Sequence, residues 1–183
     1  GEVAHQSQVA LDLDRDAAFA CMKACASIAP VYYATGNHDA LMPGADRAAL
    51  TRMGVSVVDG AVAKISAPGD GIWIGGLPSG GEGGFARRFS ARPGYKILIC
   101  HHPEYYEPLL KALDIDLILS GHTHGGQWRL GRLGAYAPGQ GIFPKYTGGV
   151  YEGRMVISRG LSNTARVPRF FNPRELVMVE LGV

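Results

Sequence analysis

The chain has 183 residues, 46% hydrophobic and 19% charged, a globular balance that suits one domain with a sizeable core and argues against disorder. Its formal net charge is +2 with the charges scattered, so no basic block recommends a nucleic-acid partner. Three cysteines make no disulfide framework and read as reduced, buried small hydrophobes. No apolar run approaches the ~20 residues of a membrane helix, and because the chain starts at Gly1 the lack of a leader or anchor here says little about the full-length protein.

In chain order, the alanine-rich stretch 14–28 carries acidic residues at its start and stops before Pro30, which predicts a helix. The β-branched and aromatic run 31–35 predicts a strand that exits into "GNHD". A helix is expected over 45–53, short strands near 55–58, 61–66 and 72–76, and a mobile glycine-rich loop over 76–84. The run "YKILICHHPE" predicts a strand delivering His101 and His102, followed by a helix over 104–113 and the strand "DLILS". The Gly/Pro-rich region 131–149 reads as a long functional loop, and "RMVISRG" and "RELVMVEL" read as two closing strands. No internal repeat appears. The pattern is mixed α/β with a layered sandwich core.

In α/β sheets, ligands gather beyond the carboxyl ends of the strands. Three strand exits here carry "GNHD", "HHP" and "GHTH", and five of the six histidines fall in these motifs. A lone histidine at a strand end is usually a surface or hydrogen-bonded residue; five clustered at three exits reverse that expectation. Imidazole with an asparagine amide oxygen makes a mixed shell suited to Zn, Mn or Fe.

"GNHD" at 36–39, "HHP" at 101–103 and "GHTH" at 121–124, in this order, resemble the later motifs of the calcineurin-like metallophosphoesterases. The extension "GHTHGGQ" and the stretch "ISRGLSNTARVPRFFNPREL" are similar to the bacterial phosphodiesterase branch that includes YaeI-like and YkuE-like proteins. The resemblance implies an α/β fold, a layered β-sandwich flanked by helices, around two divalent metal ions bridged by a hydroxide. It implies Asn37, His101 and His122 as ligands of one ion and His124 as a ligand of the other. His38 is then the non-ligand histidine that stabilises the transition state or protonates the leaving oxygen, with Asp39 orienting it or capping the loop. His102 is expected to pack beside the ligands. Gly125, Gly126 and Gln127 are candidates for backbone contact with phosphate, and Arg159 and Arg169 for holding a substrate anion. A phosphodiester or lipid-linked phosphate ester is the implied substrate, and membrane association of the full-length protein is an expectation that goes with it.

The chain departs from the family pattern at its start. An opening Asp-x-His motif is absent before Asn37, and Glu2, 35 positions before Asn37, stands near where a bridging carboxylate is expected. The chain therefore reads as a single metallophosphoesterase domain lacking its first strand, a segment of a longer protein. The rival expectation is a non-catalytic mononuclear metal-binding or scaffold domain with one ion. A zinc protease or zinc finger is excluded, since neither a His-Glu-x-x-His helix nor paired cysteines are present.

Overall fold

The computed structural model describes residues 15–39, 42–67, 69–81, 83–137, 139–161 and 168–182. Residues 15–26 form helix α1, close to the expected span. The strand β1, Val31–Tyr33, follows, then α2, Gly44–Arg52, with Asp46 in its first turn and Arg52 in its last. These charges complement the helix dipole. The strands β2 (Val55–Val57), β3 (Val62–Ile65) and β4 (Ile72–Leu77) come next. The helix α3, Gly83–Ser90, starts at the end of the expected glycine-rich loop over 76–84 and was not expected. It forms because Ala86 and Phe89 share one face and bury it. Gly75 makes room for that packing, since a Cβ there would meet the Phe89 ring at 2.8 Å.

The strand β5, Tyr95–Cys100, alternates inward and outward, with Lys96, Leu98 and Cys100 buried. Buried Lys96 is satisfied by Asp114 Oδ2 at 3.0 Å and the Gly94 carbonyl at 3.2 Å. The helix expected over 104–113 is instead a 3₁₀ turn, Pro103–Tyr105, running into a π turn, Tyr106–Leu110. Pro108 has no N–H to offer the regular ladder, and the bond closing the turn runs from the Lys111 amide to the Tyr106 carbonyl, five residues back. Arg154 then caps the segment by donating to the carbonyls of Leu113 and Ile115 at 3.1 and 3.2 Å.

After β6, Leu117–Ser120, a 3₁₀ turn spans His124–Gly126. The expected long loop contains four two-residue strands: β7 (Arg129–Leu130), β8 (Leu133–Gly134), β9 (Tyr136–Ala137) and β10 (Gly141–Ile142), paired as two tight hairpins. The strands β11 (Gly149–Tyr151) and β12 (Met155–Ile157) complete the regular structure. The strand expected in "RELVMVEL" does not form: its residues are irregular, with Leu176 and Met178 exposed. A strand exists by pairing, and no described strand lies beside it.

The main sheet has the order β11-β12-β6-β5-β4-β3. Its four central strands are parallel, and the two edge strands run antiparallel to their neighbours. A separate parallel pair joins β1 and β2. Leu77, Leu98, Cys100, Ile118, Met155 and Ile157 form the middle of the core, so the fold is mixed α/β with a central mixed sheet flanked by helices. Among the cysteines only Cys100 is buried; Cys21 and Cys25 are exposed and all three are free, which corrects the expectation of three buried thiols. No helix among the described residues is long and apolar enough to cross a membrane.

Candidate metal centre at the strand exits

Register places the site. Leu77 pairs with Cys100 across β4 and β5, Ile99 with Leu119 across β5 and β6, and Ile157 with Ser120 across β12 and β6. Four adjacent parallel strands therefore end together, and the residues beyond them, from Ser79 to His101, His122 and Arg159, meet at one edge. The Gly121 amide donates to the His101 carbonyl at 3.2 Å, tying two of these exits.

The β1 exit reaches the same edge through a stapled loop. Tyr33 donates its hydroxyl to Asp39 Oδ2 at 2.6 Å, and the Gly36 amide donates to the same oxygen at 3.2 Å. Asp39 thus closes the Gly36–Asp39 loop on itself, the capping role, and no described hydrogen bond joins it to His38. Burial, reinforced by Asp39, holds the Tyr33 hydroxyl well above the ordinary tyrosine range, so it stays a donor. Asn37 and His38 are exposed at the loop tip.

Three donor atoms converge. Asn37 Oδ1 lies 2.9 Å from His101 Nε2 and 3.2 Å from His122 Nδ1, and the two ring nitrogens are 3.2 Å apart. Ligand atoms ~2.0–2.2 Å from one cation sit about 3.0 Å apart at right angles and about 3.4 Å apart in a tetrahedron. The observed edges fall in that window, so these residues fit a divalent ion. Gly36 is part of the fit, because a Cβ there would meet the His101 ring at 2.9–3.0 Å.

Electrostatics keep the imidazoles neutral. Burial, then the neighbouring His122 and His102, push His101 down to about 4. Burial also lowers His122 and His124, with His38 contributing to both. Neutral rings present the lone pairs that a cation requires.

A second cluster shares His122. One donor atom each from His102, Glu104 and His122 lie within 4.8 Å of one another. Burial pushes the Glu104 carboxyl up, but the His102 hydrogen bond, its own backbone amide and the adjoining histidine charges hold it below the ordinary glutamate value. As an ionised group it accepts a hydrogen bond from His102 Nδ1–H at 2.8 Å, and with the ring proton on Nδ1 the His102 Nε2 accepts from the Ser79 hydroxyl at 2.6 Å. Both His102 nitrogens thus have partners within the fold, and the cluster itself offers three donor atoms that could hold a metal ion. Glu104 Oε1 also faces His122 Nε2 at 3.6 Å. That contact favours the proton on Nε2 and turns the Nδ1 lone pair toward Asn37 and His101.

The turn that carries His122 is strained. His122, His124 and Gln127 have φ of 66°, 47° and 58°, a region that costs a non-glycine residue about 1–3 kcal/mol. Asn172 holds it in place by donating to the carbonyls of His124 and Gln127 at 2.6 and 3.1 Å.

The remaining expected residues are placed differently. Arg159 donates to Glu175 through its backbone amide at 2.8 Å, Nε at 2.7 Å and Nη2, so its charge is met within the fold. Gly125 is buried with φ 69°, and its carbonyl accepts from Arg129 at 2.7 Å. The Gln127 amide is committed to the His124 carbonyl at 3.3 Å. Arg169 donates to the Arg159 carbonyl at 2.7 Å. Glu2 lies outside the described residues. Glu104, Ser79, Asn172 and Glu175 were missed; only Glu104, two positions after His102 in "HHPE", carried a local signal.

Comparison with known proteins identifies the family. A family profile, calcineurin-like phosphoesterase, matches residues 4–126. The chain is 46% identical over 72 residues, 39% of its length, to a Bacillus subtilis (strain 168) protein described as "Uncharacterized protein YpbG". That match spans 25% of the Bacillus protein. No solved structure gives a significant match. With this profile covering more than half of the chain, the protein belongs to the calcineurin-like phosphoesterase family.

Proposed function

We propose that the protein hydrolyses phosphodiesters by direct attack of water, with Asn37, His101 and His122 holding a divalent cation and His124 reaching a second one. The observation that carries this reading is the convergence of Asn37 Oδ1, His101 Nε2 and His122 Nδ1 at 2.9–3.2 Å. A bound divalent cation, Mn, Zn or Fe, supplies activation of the attacking water and neutralisation of phosphoryl charge. The chain supplies the rest. Glu104 fixes the tautomer and pitch of His122, and Gly36 lets the His101 ring sit flush on the loop. His38, exposed at the loop tip, holds a proton where a leaving oxygen departs. Asp39 sets the loop that presents it.

The test is hydrolysis of bis(p-nitrophenyl) phosphate and of p-nitrophenyl phosphate by the full-length, metal-loaded protein. The proposal expects turnover of the diester to exceed that of the monoester and to vanish in His122→Ala. A second reading, a non-catalytic domain with one ion, draws on the sharing of His122 between the two three-donor clusters among the described residues. Metal binding with no turnover of either ester would favour it.

A further inference from the structure

A hydrophobic apron begins beside the histidine turn. Trp128, Leu130, Leu133, Phe143, Phe170 and Phe171 line an open groove of about 460 Å³, and all six are exposed. The β7–β8 and β9–β10 hairpins raise this surface, held close to the site because Gly134 packs directly on Gly126.

Two features show that the exposure is built in. Phe143 and Phe171 have φ of 50° and 48°, a region that bulky side chains seldom adopt. Neither ring repays that strain by packing, since the two are 78% and 85% exposed. Strain kept at residues that contribute nothing to the core marks a surface with another use. The charge pattern is the second feature. From Gly125 to Tyr151 the chain carries Arg129, Arg132 and Lys145 and no acidic residue. Lys145 is paired with Glu107, but exposed Arg132, between Leu130 and Leu133 at a hairpin tip, and exposed Arg174, three residues after Phe171 in the chain, make no ion pair among the described residues.

We propose that this apron docks the protein on an anionic lipid bilayer. Leu130 and Leu133 at the β7–β8 tip and the exposed rings of Phe143 and Phe171 enter the interface, and Arg132 and Arg174 meet lipid phosphates. A second copy fits less well, because a self-complementary contact would set a patch bearing only cations against itself. Docking does not depend on the reaction proposed above, and it places the histidine turn at the membrane surface.

The full-length protein is sedimented with vesicles of phosphatidylcholine alone and with vesicles containing equal phosphatidylglycerol. Partition at least about tenfold stronger onto the anionic vesicles is expected. Phe143→Gly relieves the strained φ and removes the ring, so it should lower that partition about tenfold, the scale of one buried phenylalanine, with the melting temperature within a few degrees of wild type. Leu130→Ser/Leu133→Ser should act in the same direction. Absence of partition, partition unchanged in both variants, or self-association in sedimentation velocity that Phe143→Gly abolishes would each overturn the proposal.

Discussion

Replacing Gly36 by alanine tests the centre with the smallest possible change. The added Cβ would lie 2.9–3.0 Å from His101 Cε1, Cδ2 and Cγ. Ordinary carbon contacts begin near 3.4 Å, so the ring must retreat by about 0.5 Å. Metal coordination tolerates about 0.2 Å, so the Nε2 donor leaves its position. The Gly36 φ lies outside the left-handed region, and an alanine there adds no backbone strain. The expected result is a fall in Mn²⁺ or Zn²⁺ affinity of about ten- to a hundredfold, measured by competition with a chromogenic chelator. Destabilisation of the metal-free protein should be about 1–3 kcal/mol, the usual cost of overpacking. Gly121→Ala is the matched control, because its Cβ would sit 3.7 Å from Nδ1 of the same ring, an ordinary contact, and it should bind metal like wild type. Wild-type affinity in Gly36→Ala, or equal losses in both variants, would refute the reasoning.

His38→Ala should leave metal affinity intact and lower kcat on the diester by about 10²–10⁴-fold, the usual scale of general acid catalysis; coupled titration and kinetics check both halves. Glu104→Gln removes the charge that holds the proton on His122 Nε2, so metal affinity should fall about tenfold or more while the fold, followed by circular dichroism, persists. The His101 pKa is depressed from 6.5 in the unfolded chain to about 4 in the fold, so the unfolded state binds the extra proton first. Its contribution to stability is therefore full above 6.5 and lost as pH falls toward about 4. Urea unfolding of metal-free protein across that window should show the decline, and His101→Ala should make it shallower, leaving the part that buried His122 and His124 contribute.

The chemistry of the site was more legible than its scaffolding. Histidines at three strand exits can be read from short β-branched runs ending in glycine or proline, and the parallel register then brings those exits together. The partnership of Ser79 with His102 could not be read, because it depends on β4 pairing with β5 rather than on any local pattern. The same holds for Asn172 beneath the histidine turn and for Glu175 on Arg159, where partners 48 and 16 residues apart meet. The π turn was readable in principle, since Pro108 forbids a regular helix, but helical spacing of apolar residues concealed it. In "RELVMVEL" the alternation of a strand was correct as a local pattern, and pairing, which local pattern does not supply, was missing.

The most direct test of the metal centre is the number of ions bound by metal-free, full-length protein on titration with Mn²⁺ or Zn²⁺, compared with His122→Ala at unchanged circular dichroism. The convergence of Asn37, His101 and His122 predicts at least one ion per chain in the wild type and one fewer in the variant. Equal stoichiometry in the two proteins would contradict it.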